Sequence, residues 1–167
     1  MTPVNALRHG MCFASARGSK LREDAMSALG LKVIDEAVQS ANTWVNDVDN
    51  ATGWENKQRS YRLMRAVLHA IRDHLGVDEA VDLGAQLPTL IRGIYYEGWD
   101  ASRNPVRMRT AADFVGRVQE SFRADPMGDA ENAVRAVIGV LDAHISAGEM
   151  DDVRKAFATR VRALFDA

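Results

Sequence analysis

Shifted by seventy residues, segment 41–95 lies on 111–165 without a gap. Eleven positions coincide: Ala41/Ala111, Val45/Val115, Val48/Val118, Arg65/Arg135, Ala66/Ala136, Val67/Val137, His74/His144, Glu79/Glu149, Asp82/Asp152, Thr89/Thr159 and Arg92/Arg162. Other pairs exchange like for like, among them Trp44/Phe114, Leu68/Ile138, Ile71/Leu141, Leu87/Phe157 and Tyr95/Phe165. A gap-free internal match signals one unit used twice, and it restricts the fold before any element is assigned.

The unit reads as helix throughout. Ile34, Ala37, Val38, Ala41, Val45 and Val48 recur at three-to-four spacing and stop near Asp49-Asn50. Thr52 with Glu55 forms a capping-box pattern for the next helix. That helix sets Met64, Val67, Leu68, Ile71 and Leu75 on one face and stops at Gly76. Its copy sets Val134, Val137, Ile138, Leu141 and Ile145 on one face, capped by Asp129 and stopped by Ser146-Ala147-Gly148. A short helix over 78–83 breaks at Gly84. Leu87-Pro88 then opens another with proline in the first turn, where its missing N–H costs little, running to Gly98. In the copy Ala158 replaces the proline and the helix runs to Phe165. No segment alternates like a strand. The expected fold is all-α: two tandem related four-helix units, about 35–98 and 109–167, joined by a linker over 99–108. A single repeat would struggle to bury its own apolar face, so both belong to one helical domain over 26–167.

Composition narrows the class. The 167 residues are 47% hydrophobic and 26% charged, with a formal net charge of −2, which is ordinary for a globular protein and exerts no global pull toward nucleic acid or anionic lipid. No run approaches the roughly eighteen apolar residues of a membrane span. The single cysteine, Cys12, has no partner in the chain, which removes internal disulfides and favours a cytoplasmic location. Residues 1–25 differ in character: Arg8, Arg17, Lys20 and Arg22 with no acid before Glu23, three breakers, and no sustained period. They read as a flexible tail, or as an over-extended start with Met26 as the true beginning, rather than a secretory signal or transit peptide.

The run Tyr61-Arg62-Leu63-Met64-Arg65-Ala66-Val67-Leu68-His69-Ala70-Ile71-Arg72-Asp73-His74-Leu75 and the run Gly84 through Trp99, with its Gln-Leu-Pro and Arg-Gly-x-Tyr-Tyr-Glu-Gly-Trp elements, resemble a bacterial family designated domain of unknown function 2267. The resemblance covers about 35–167. It implies a helical fold and carries no activity or catalytic residue. The second copy departs from the family in reading Phe157-Ala158 where relatives carry a Leu-Pro pair.

The densest cluster of unusual residues is Arg92, Tyr95, Tyr96, Trp99, Arg103 and Arg107. Arginine beside aromatics is the composition of protein-interface hot spots, so Arg92, Tyr96, Trp99, Arg103 and Arg107 form the expected interaction surface. The competing reading has Tyr96 and Trp99 covering the seam between copies and Arg92 capping a helix end. His69 and Asp73 are four apart on one helix, a spacing that can hold a metal, but no third ligand is at hand. His74 and His144 end equivalent helices, where they can satisfy terminal carbonyls. Arg154, Lys155, Arg160 and Arg162, with Arg103, Arg107 and Arg109, offer a possible basic face for nucleic acid, against which Asp151 and Asp152 adjoin it. No phosphate loop, nucleophile elbow or cysteine nucleophile is present in 26–167. The sequence therefore leads to a non-enzymatic cytoplasmic module that binds a protein partner or itself, without a cofactor or metal. A nucleic-acid-binding module and an enzyme of unrecognised chemistry are the alternatives.

Overall fold

The computed structural model describes residues 31–165. The expected N-terminal tail, Cys12 and Met26 lie outside the described residues. Contacts divide the chain into two units, Met1–Glu36 and Ala37–Ala167. Of the first, residues 31–36 are described; they open a helix, with the Ile34 N–H donating to Leu31 O at 2.9 Å and Lys32 paired with Glu36 at 3.4 Å.

The described elements are helical, with no strand among them: α1 (Lys32–Thr52), α2 (Lys57–His74), α3 (Val77–Gln86), α4 (Thr89–Tyr96), α5 (Ala111–Gln119), α6 (Ala130–His144), α7 (Ala147–Ala156) and α8 (Thr159–Arg162). Short 3₁₀ turns occupy Ala101–Arg103 and Glu120–Phe122. The class is all-α. Element bounds recur seventy residues on: α2 and α6 end at His74 and His144, and α3 over Val77–Gln86 answers α7 over Ala147–Ala156. No described helix is long and apolar enough to cross a membrane.

Helix α2 is the central element of the second unit, packed by α4, α5 and α6, while α3 lies against α7. The periodicity explains this. Leu63, Met64, Val67, Leu68, Ile71 and Leu75 are all fully buried, as are Val134 and Val137 of α6. Each such side chain contributes about 1.5–3 kcal/mol by leaving water. Trp44 and Val48 of α1 and their counterparts Phe114 and Val118 of α5 are likewise buried.

Several local expectations are corrected. The Thr52/Glu55 capping box does not form: Thr52 belongs to α1, where its hydroxyl donates to Val48 O at 2.9 Å, and Asn56 caps α2 by accepting from the Arg59 N–H at 3.1 Å. Gly53 (φ 64°) and Glu55 (φ 52°) carry the left-handed turn between them. The apolar stripe of α1 is not buried along its length; Val38 is 46% exposed. Gly76 and Ser146 directly follow the C-caps of α2 and α6, as expected of stops, and also occupy the N-cap positions of α3 and α7. Gly84 lies inside α3 because Tyr96 fills the space a side chain would take: a Cβ there would sit 2.1 Å from the Tyr96 hydroxyl. Pro88 is the cap before α4, one place ahead of its first turn. Helix α8 ends at Arg162, short of Phe165. Gly98, at φ 64°, follows the end of α4 as expected.

Candidate functional site

A polar stripe runs beside the apolar face of α2. Arg65, His69, Arg72 and Asp73 recur at helical spacing and meet the C-terminal end of α4, where the last carbonyls have no partner within their own helix. Helix α2 supplies partners. His69 Nε2 lies 2.7 Å from Ile94 O, and because a carbonyl only accepts, Nε2 carries the hydrogen. The Arg72 guanidinium donates to Tyr95 O and, at 3.1 Å, to Glu97 O.

Arg72 is buried, its side chain 5% exposed, so its charge requires a counter-charge. Asp73 provides it: Oδ1 accepts from Arg72 Nε at 2.9 Å and NH2 at 2.7 Å. Asp73 Oδ2 accepts from Arg117 of α5 at 3.1 Å, and Arg117 also holds Glu120 at 2.9 Å. The carboxylate thus joins α2 to α5. Asn104 fastens the linker, accepting from Trp99 Nε1 at 2.9 Å and donating to Arg72 O at 2.6 Å and Leu75 O at 3.0 Å at the end of α2. The Val106 N–H donates to Asp73 O at 2.6 Å. The peptide bond between Asn104 and Pro105 is cis.

These groups enclose a cleft of about 290 Å³, lined by Arg65, His69, Arg72, Asp73, Glu97, Asp100, Arg103 and Arg117 among others. Burial holds His69 below the ordinary histidine range, opposed by its bond to Ile94 O and assisted by Arg72 and Arg65. The hydrogen bond and charge of Arg65, 2.7 Å away, hold Glu97 below the usual carboxylate range. Arg117 is held more firmly protonated, first by Asp73.

The five residues of the expected interaction surface do not share one cavity. Arg103 is exposed and lines this cleft. Arg107 is exposed and lines another hollow of about 600 Å³ beside His74 and Phe157. Tyr96 and Trp99 are half-buried against the core with ring centroids 5.3 Å apart. Burial raises the Tyr96 phenol, which the nearby Arg92 opposes. Arg92 is exposed and does not cap a helix end. Its twin Arg162 does, donating to Phe157 O at 2.9 Å and Lys155 O at 3.1 Å. The guanidiniums of Arg92, Arg103 and Arg107 form no ion pair among the described residues.

The other candidates are engaged in structure. Asp73 gives both oxygens to arginine, so the His69/Asp73 spacing is occupied, and no group of three or more potential metal ligands occurs among the described residues. His74 and His144 do not cap their own helices. His74 stacks on Phe157 at 4.2 Å, and its Nδ1 accepts from the Met108 N–H at 3.1 Å. His144 stacks on Trp44 and reaches Asp47 at 2.7 Å. Much of the C-terminal basic face is consumed internally: Arg154 pairs with Asp142, and Lys155 with Asp151 and Asp152. Where α3 meets α7, Glu79, Asp82, Glu149 and Asp152 line a shallow hollow. Burial, then Asp82 and Asp152, push the Glu149 carboxyl up.

Sequence reasoning missed Arg65, Arg72, Glu97 and Arg117. A signal existed in the positions where the repeat fails: His69, Arg72 and Asp73 stand opposite Gly139, Asp142 and Ala143. The second copy therefore cannot build this cleft.

The model of the family described as "Uncharacterized conserved protein (DUF2267)" matches residues 41–164, and the chain belongs to that family. No curated protein matches it.

Proposed function

We propose that this member of an uncharacterised family is a non-enzymatic interaction module that engages an acidic protein partner through the end of α4 and the linker, with Arg92, Tyr96, Trp99, Arg103 and Arg107 as the contact residues. One observation supports the reading: Arg92, Arg103 and Arg107, grouped at the end of α4 and in the linker, are exposed and form no ion pair among the described residues, a condition shared by Arg109, Arg123 and Arg160, whereas Arg62, Arg65, Arg72, Arg117 and Arg154 all have carboxylate partners. Guanidiniums held ready on helices and a fastened linker are suited to planar carboxylate recognition. Tyr96 and Trp99 act from beneath, as a half-buried aromatic base. The cytoplasm is the proposed location. Nucleic acid is the weaker partner class, because Arg154, Lys155 and Arg162 are engaged within the chain.

Charge reversal tests the reading better than aromatic truncation, since Tyr96 and Trp99 pack against the core. Tagged wild-type protein and the Arg92→Glu/Arg107→Glu variant are compared in capture from bacterial lysate, with folding checked by circular dichroism. The expected result is a stoichiometric protein, or a second copy of the chain, retained by the wild type and lost by the folded variant. An unchanged set of captured proteins would refute it.

A further inference from the structure

We propose that the cleft between α2, the end of α4, the linker and α5 binds a small phosphate monoester. This goes beyond the partner reading and shares only Arg103 with it.

Hydrogen-bonding capacity decides what the cleft can hold. The cleft's carboxylates are engaged at one or both oxygens: Asp73 gives both to Arg72 and Arg117, Glu97 gives Oε2 to Arg65, and Asp100 Oδ1 accepts from the Ser102 N–H (3.1 Å) and hydroxyl (2.6 Å). The donors are not exhausted. A guanidinium offers five N–H groups and accepts nothing. Arg65 lines the cleft and commits Nε to Glu97, and neither of its terminal nitrogens has a hydrogen-bond partner among the described residues. Arg103 lines the same cleft, and its guanidinium makes no hydrogen bond or ion pair among the described residues. His69 spends its one N–H on Ile94 O. The ligand that satisfies a donor-rich lining is acceptor-only and anionic.

Charge and shape narrow the class. Four guanidiniums (Arg65, Arg72, Arg103, Arg117) face three carboxylates (Asp73, Glu97, Asp100), so the lining is cationic with His69 neutral. The lining arginines come from α2, the linker and α5. A planar carboxylate offers two oxygens in one plane, whereas a phosphoryl group offers three in a pyramid and can be met from several sides. The volume, about 290 Å³, is at the small end of ligand pockets and suits a phosphoryl group with a compact organic body.

The test is calorimetric titration of the full chain at constant ionic strength with phenyl phosphate, inorganic phosphate, benzoate and a phosphoserine peptide. Saturable one-to-one binding of phenyl phosphate is expected, at least tenfold tighter than benzoate. Arg65→Gln/Arg103→Ala, which removes exposed groups outside the core, is expected to weaken it at least tenfold. Nitrogen-15 spectra, in which the Arg65 and Arg103 Nε–H signals shift on titration, keep the test valid should that variant unfold. Absence of saturation at a Kd of about 1 mM or tighter, benzoate binding equally well, or unmoved arginine signals would overturn the assignment. Tighter binding of the phosphopeptide than of phenyl phosphate would overturn the small-molecule class. Failure here is separable from failure of the partner reading, because Arg92→Glu/Arg107→Glu is expected to retain the wild-type affinity for phenyl phosphate.

Discussion

Replacing Asp73 with asparagine removes a charge while keeping shape, and the structure gives the cost. Asp73 Oδ1 faces Arg72, whose side chain is 5% exposed, and Oδ2 faces Arg117, whose side chain is 44% exposed. The two ion pairs of this one carboxylate therefore belong to different dielectric regimes. Loss of the partner of a buried charge costs about 3–5 kcal/mol, since the remaining ion stays desolvated. Loss of an exposed pair costs about 1 kcal/mol or less. Asp73→Asn is expected to destabilise by about 3–5 kcal/mol, a large share of the roughly 5–15 kcal/mol available to a native domain. Arg117→Ala should cost about 1 kcal/mol or less. In Arg72→Met/Asp73→Asn part of the loss should return, because no orphaned charge remains, the remainder being about 1–3 kcal/mol for the Tyr95 and Glu97 carbonyls that lose their donor. Urea titrations followed by circular dichroism and tryptophan fluorescence yield the differences, provided the slopes match. Equal costs for Asp73→Asn and Arg117→Ala would refute the argument, as would a double variant no better than Asp73→Asn alone.

Two further outcomes follow from the same structure. Burial holds both His69 and His74 below the ordinary histidine range, so just below pH 6.5 the unfolded chain binds more protons than the native one. Stability should fall as pH drops through 6.5, measured between about pH 5 and 8 so that the lowered carboxylates Glu97 and Asp100 stay ionised; His74→Gln should flatten the slope, and an unchanged slope would contradict its share. Gly84→Ala places a Cβ 2.1 Å from the Tyr96 hydroxyl and should destabilise by about 1–3 kcal/mol, whereas in a Tyr96→Ala background it should stabilise by about 0.5–1 kcal/mol; like signs in both backgrounds would show that Tyr96 does not set the cost.

The helical class and the core face of α2 were legible because apolar spacing is a local record of burial. Met64, Val67, Leu68, Ile71 and Leu75 repeat at the helical period and are all fully buried. Element ends were less legible. Thr52 and Glu55 match a capping box in type and spacing, yet Thr52 completes the preceding helix, and only the position of the chain turn decides between those uses. Gly84 reads as a break because glycine breaks helices on average, but here it admits a ring from a residue twelve places on. The cleft was hidden for a different reason. Arg72 stands in α2 between residues that point to the core, and charge there looks like a solvated edge. Its partners at Tyr95, Glu97 and Asn104 are distant in sequence, as is Arg117, which holds Asp73, and periodicity carries no information about such pairings. The repeat held an unused signal, since His69, Arg72 and Asp73 stand opposite Gly139, Asp142 and Ala143 in the second copy.

The acidic hollow between α3 and α7 obeys a rule that governs paired copies. Where two equivalent surfaces meet, each side chain faces the neighbourhood of its own twin, so a charge placed once is placed twice with the same sign. Glu79 with Glu149 and Asp82 with Asp152, matched seventy residues apart, bring four carboxylates to one seam. Two identical subunits have no remedy except to change both sides together. A single chain can change one. Residue 155 is a lysine where its twin, residue 85, is an alanine, and that lysine reaches Asp151 and Asp152. With both sides on one chain the seam is free to be asymmetric, and Lys155 opposite Ala85 is one such difference.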